Sequence, residues 1–153
     1  MSKLEEAKAI LDSIGMPKAQ QSDLCAYTLL ALSEIVENKK WSSATNNYIR
    51  IHDIMEFIKD NYDIAYAENS RETFRKQAMH HFRIAALIEE NGMATNSPNY
   101  KYRITAEALN LFQKYNTPSW NKALNIYLKN HEKLVSIYEN KRNMVKVPVK
   151  IRG

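Results

Sequence analysis

A single cysteine, three glycines and four prolines are all that this 153-residue chain holds of the residues that cross-link, hinge or break a fold. One thiol, Cys25, cannot close an internal disulfide, and a four-cysteine zinc site is excluded. So few breakers exclude collagen-like and linker-dominated architectures and favour long helices over a turn-rich β fold. Long apolar runs are missing too: stretches such as Tyr27 to Leu32 fall far short of the roughly 20 residues a spanning helix needs. The start, Met1-Ser2-Lys3-Leu4-Glu5-Glu6, carries acids where a signal peptide has an apolar core. The expectation is a cytoplasmic protein with no membrane partner. What is present is a 44% share of hydrophobic residues, which excludes a disordered chain, in a length suited to one domain with its own core.

The net charge of +5 is modest but unevenly placed. Residues 1–68 are acidic on balance, whereas residues 69–103 carry Arg71, Arg75, Lys76, Arg83, Lys101 and Arg103 against three acids. Residues 129–153 form a second basic block, seven basic residues against two acidic. A charge run is commonly a solvated face, but clustering on one element beside polar side chains points to a polyanion.

Hydrophobic spacing predicts a helix over Lys3–Ile14, stopped by Gly15, and a largely buried one from Gln20 or Ser22 to Val36. A polar loop with Trp41 follows, then a third helix over Arg50–Tyr62. Asn69 with Glu72 has capping-box spacing and opens a helix read as running to Ile88. Its apolar face is Phe74, Ala78, His81, Phe82, Ala85 and Ile88, and Glu72, Thr73, Lys76, His80 and Arg83 lie opposite. Gly92 breaks it. Met93-Ala94-Thr95 and Tyr100–Ile104 bracket the turn cluster Asn96-Ser97-Pro98-Asn99 and read as a β-hairpin. Helices over 105–115 and from Pro118 to about Lys141 complete the pattern.

Metal and catalytic chemistry find little support. His80 and His81 are adjacent and diverge, where two helical ligands want i, i+4 spacing, and His52 and His131 have no evident partners. Cys25 in an apolar helix reads as an inert buried thiol. No Gly-rich phosphate loop or Gly-x-Ser-x-Gly exists. The Glu-x-Lys triplets at 37–39 and 139–141 sit at helix ends with no Pro-Asp to partner them. No catalytic or metal residue is assigned, and no cofactor.

Helix, connector, basic helix, hairpin, helix is the order of a winged helix-turn-helix: an all-α fold with a small β-hairpin wing. A helix fits the major groove of duplex DNA, and the preceding helix crosses the backbone. The candidate DNA-binding residues are Arg71, Thr73, Arg75, Lys76, Gln77, His80 and Arg83 on the helix. On the wing they are Asn96 and Ser97 at the tip, with Lys101 and Arg103 as phosphate contacts. A stand-alone transcriptional regulator and a protein-interaction module remain alternative readings. At the C-terminal end Val145, Val147, Val149 and Ile151 alternate with Lys146, Pro148, Lys150 and Arg152, a strand pattern with no sheet to join. The chain is expected to divide into a helical winged-helix domain, 1–142, and a linker or first strand of a further domain, 143–153.

Five stretches stand out together: Gly15-Met16-Pro17-Lys18-Ala19-Gln20-Gln21, Asn69-Ser70-Arg71-Glu72-Thr73-Phe74-Arg75-Lys76-Gln77, Met79-His80-His81-Phe82, Asn96-Ser97-Pro98 and Tyr102-Arg103-Ile104. Through them, from about Ile10 to Tyr127, the chain resembles the N-terminal domain of the BsuBI/PstI family of type II restriction endonucleases. It implies a winged-helix DNA-binding domain preceding a magnesium-dependent nuclease domain that cuts at a palindrome, CTGCAG for the named members. Nothing in this chain corresponds to the cutting residues, so the resemblance implies the DNA-reading half. A palindrome suggests a homodimer.

Overall fold

The structure, a computed structural model, describes residues 1–146. Helix α1 (Lys3–Ser13) is opened by a reciprocal cap in which the Glu5 amide donates to Ser2 Oγ and the Ser2 amide to Glu5. Helix α2 (Asp23–Ser33) is the central element, and every residue from Cys25 to Ser33 is buried. Its hydroxyls stay inside the ladder: Thr28 donates to the Leu24 carbonyl and Ser33 to that of Leu29. Helix α3 (Ile51–Tyr62) buries Ile51, Ile54, Met55 and Ile58, the stripe its spacing predicts. Helix α4 spans residues 71–84 in three pieces: Arg71–Phe74, a widened π-turn over Arg75–Met79, and His80–Ile84. Strands β1 (Ile88–Glu90) and β2 (Tyr102–Ile104) form the antiparallel wing, pairing Ile88 with Ile104, Glu89 with Arg103 and Glu90 with Tyr102. Helices α5 (Ala106–Phe112) and α6 (Trp120–Lys146) follow. No helix of the described residues is long and apolar enough to cross a membrane.

One core runs through α1 to α5, the wing and the first half of α6; Trp41, Phe74, Phe82 and Phe112 are its largest fully buried side chains. The loop ahead of α3 is tied down rather than loose. Trp41 Nε1 donates to the buried carboxylate of Glu6, which also takes the Asn116 amide and lies beside Lys3. Ile49 exchanges both backbone hydrogen bonds with Tyr102, adding a one-residue third rung to the wing.

Several details depart from the pattern read in the sequence. Helix α2 ends at Ser33, not Val36, with Glu34 at φ 57°. Asn69 makes no cap: Glu68–Ser70 is a 3₁₀ turn running into α4, and Glu72 pairs with Arg75 instead. The helix ends at Ile84, not Ile88. Ala86 adopts φ 60°, its amide donates to the Arg83 carbonyl and that of Leu87 to Phe82, a Schellman closure with alanine where glycine is usual. The first wing strand is therefore Ile88–Glu90, ahead of Met93–Thr95, which belongs to the connecting loop; Gly92, at φ 80°, turns that loop rather than ending a helix. At the far end Val145 and Lys146 are still helical, and the remainder of the alternating stretch, 147–153, lies outside the described residues.

Candidate nucleic-acid interface

Helix α4 is amphipathic in a way that a straight helix could not be. At roughly 100° per residue Met79 would fall in the middle of the face that carries Arg75 and Lys76. The π-turn threads one extra residue into the helix: the His80 amide reaches back five residues to the Arg75 carbonyl. Everything after it is set back by about one residue's rotation. Met79 turns into the core beside Phe74, Ala78 and Phe82, and His80 takes its place on the outer face.

That face meets the wing across a trough. Two adjoining hollows, of about 510 and 470 Å³, share Arg75, Thr95, Tyr100 and Tyr102. One continues over Arg50, His52, Arg71 and the wing tip, Asn96 to Pro98; the other continues over Glu72, Lys76, His80 and Arg83, with the buried Met79 at its floor. Helix α4, the start of α3 and the wing tip thus converge on one concave, mainly cationic surface. Of the residues singled out from sequence, it brings together Arg71, Arg75, Lys76, His80, Arg83, Asn96 and Ser97. Thr73, Gln77, Lys101 and Arg103 do not line it.

The cations differ in freedom. Arg71 pairs with Glu68 and Arg75 with Glu72, both exposed i, i+3 pairs that are easily exchanged for another anion. Lys76 is exposed and forms no ion pair among the described residues. Arg83 is held more firmly: it bonds Glu90 at 3.2 Å and His80 Nδ1 at 3.2 Å, while Tyr100 Oη donates to the same Glu90 carboxylate. It braces helix against wing. Arg103, expected as a phosphate contact, points to the other side of the wing. Its Nε donates to Glu89, directly across the ladder, and its guanidinium lies 4.5 Å over the Tyr48 ring. Lys141 from α6 closes on the same carboxylate, whose side chain is only 10% exposed. The reason is register: with β1 at Ile88–Glu90, Glu89 stands opposite Arg103.

Asn91 fixes the base of the wing loop, donating to the Asn99 carbonyl and accepting from the amides of Met93 and Lys101. Ser97 Oγ accepts from the Asn99 amide, which holds the tip turn closed.

Two residues of the trough escape a reading by composition, Arg50 and His52. Asp53 accepts from the Arg50 amide and guanidinium, anchoring the mouth of α3, and this pairing holds the Asp53 carboxyl below its usual range. His52 does have partners: Nδ1 lies 3.3 Å from Arg71 and Nε2 3.5 Å from Glu56. An Arg-x-x-Asp at a helix start is the one sequence signal that could have marked them. His131 likewise has a partner, the Ala85 carbonyl at 2.7 Å, and belongs to the packing of α6 on the end of α4. Among the described residues no three His, Cys, Asp or Glu side chains gather as metal ligands would.

Residues 1–136 match the family described as the BsuBI/PstI restriction endonuclease HTH domain. The chain is 42% identical to the type II restriction enzyme BsuBI of Bacillus subtilis over 98% of its length, and 30% identical to the type II restriction enzyme AplI of Arthrospira platensis over 95%. It spans about half the length of these curated relatives, 49% and 46%. Its fold is similar to the solved structure of SdaI restriction endonuclease, with a TM-score of 0.79 at 27% identity, covering 92% of this chain and 46% of that one.

Proposed function

This chain belongs to the BsuBI/PstI restriction endonuclease HTH domain family, and from that premise we propose that it reads duplex DNA in sequence-specific fashion for a type II restriction enzyme of the cytoplasm. The observation that carries the reading is the trough itself. A basic, amphipathic helix is anchored by Phe74, Ala78, Met79 and Phe82, and its outer face opens beside a braced wing. The outer face of α4 would enter the major groove, where Lys76 and His80 reach base edges. Arg71, Arg75 and Arg50 would hold phosphates around it, with Asn96 and Ser97 at the flanking backbone. Thr73, Gln77 and Lys101 stand at the margins; Arg83 braces α4 against the wing within the trough, and Arg103 supports the wing from its other side. Magnesium and strand cleavage, on this reading, are the work of a nuclease part outside residues 1–146. A homodimer on a palindromic site is the accompanying expectation.

Phosphate contacts release condensed counterions, so affinity falls with salt. With Arg83 and Arg103 committed inside the protein, Arg50, Arg71, Arg75, Lys76 and Lys101 remain, and log affinity should fall against log salt with a slope of about −4 to −5. Gel shifts or fluorescence anisotropy over a salt series measure it. A slope near zero, or no binding to duplex DNA, rejects the reading.

His80 adds a pH dependence. Loss of hydration lowers its pKa below the usual 6.5, helped by the positive charges of Arg83, His81 and Arg142, so the ring is neutral in the free protein at pH 7. A phosphate or acceptor base edge beside it favours the charged ring, so its pKa is higher in the complex. Binding then takes up a proton. Affinity should rise as pH falls through the bound-state value and level off below the free-state value. His80→Gln should flatten this rise; an unchanged profile would take His80 out of the interface.

A further inference from the structure

The stretch Gly15–Gln21 is among the most distinctive in the sequence, yet it lies away from the trough. Its Gln20 side chain ends beneath α4. Gln20, only 6% exposed, donates from Nε2 to the Gln77 carbonyl at 3.3 Å. Cys25, at the start of α2 and fully buried, donates from Sγ to the same carbonyl, also at 3.3 Å. The Gln77 carbonyl lies within the π-turn. Slipping a helix by one residue disturbs its amide–carbonyl ladder, and carbonyl lone pairs at the slip become available to outside donors. Two donors from another part of the core converge on the Gln77 carbonyl within this turn. Gln21 keeps the supporting loop in place, donating to the Met16 carbonyl and the Asp12 carboxylate.

We propose that Gln20 and Cys25 are positioning residues that hold the π-turn of α4 and thereby set which side chains face the groove. With the turn held, Met79 is inside and His80 stands in line with Arg75 and Lys76. Without it, a regular helix would rotate the second half of α4 forward by about 100°, bringing Met79 outward and carrying His80 away from Tyr100. The thiol therefore acts as a hydrogen-bond donor, not as a nucleophile. Its pKa is raised by burial, which keeps the proton on sulfur for that purpose. The consequence for base reading rests on the DNA-binding proposal above; the claim about the turn does not.

The test compares Gln20→Leu, Cys25→Ala, the double variant and Cys25→Ser with the wild-type chain. One readout is peroxide oxidation of Met79, which is fully buried with the turn held and turned outward in a regular helix. The other is the ratio of affinities for a duplex selected from a random pool by the wild type and for random duplex. Removing both donors should speed Met79 oxidation and lower the affinity ratio by roughly tenfold each, with affinity for random duplex held within about twofold. Cys25→Ser, which keeps a donor, should retain both. If the double variant does not fold, the two single variants decide by the same oxidation measurement. Unchanged Met79 oxidation on loss of the donors overturns the proposal. A wild type that selects no duplex would defeat the DNA reading alone, leaving oxidation to decide the turn.

Discussion

Replacing Arg71, Arg75 and Lys76 together with alanine is expected to weaken binding to a random duplex of about 20 base pairs by roughly a hundredfold at moderate salt, and to reduce the salt slope by about 2 to 3. All three lie on the outer face of α4, and none is part of the core. Arg71 and Arg75 lose exposed i, i+3 pairs, each worth about 0.2–1 kcal/mol, and Arg71 an exposed contact to His52, while alanine is the best helix former. Melting temperature should hardly move, so a binding loss cannot be attributed to unfolding. Lys76→Ala alone separates the roles: a loss confined to a selected sequence marks a base contact, whereas an equal loss on all duplexes marks a phosphate contact. A triple variant that binds within threefold of wild type would mean the trough is not the interface.

Phe74→Ala is expected to have the largest effect on stability. The ring is fully buried in the first turn of α4, edge-on to Tyr66 with centroids 5.0 Å apart, and sits against α2 and α3. Deleting a buried phenyl costs about 3–5 kcal/mol, a large part of the 5–15 kcal/mol typical of a domain. The melting temperature should fall by roughly 6–20 °C, followed by circular dichroism at 222 nm. DNA binding should be lost before global unfolding, because α4 is fixed to the core chiefly through Phe74, Ala78, Met79 and Phe82. A shift under about 3 °C would mean that α4 is held by something other than this core.

Helices α1, α2 and α3 and the inward side of β2 were readable from spacing because each presents a single uninterrupted apolar period. Arg71, Arg75, Lys76 and His80 could be placed on an outer face for the same reason. Errors fall where the chain stops or slips. The ends of α2 and α4 use Glu34 and Ala86 in the left-handed region, at φ 57° and 60°. No local residue announces these turns, since glycine is the usual choice and tertiary bonds such as Thr105 Oγ1 to the Ala86 carbonyl hold them. Missing the stop at Ile84 displaced β1, and with it the partner of Arg103.

The sequence alone determined the helical class, the winged helix-turn-helix order and the concentration of positive charge on one helix and its hairpin, because periodicity and composition are properties of the chain. Tertiary structure alone decided which cations are free. Arg103 goes to Glu89 and Arg83 to Glu90 because strand register puts those carboxylates opposite them. It also decided that Met79 is seated in the core, through a slip in α4 whose Gln77 carbonyl takes Gln20 and Cys25 from about fifty residues earlier in the chain.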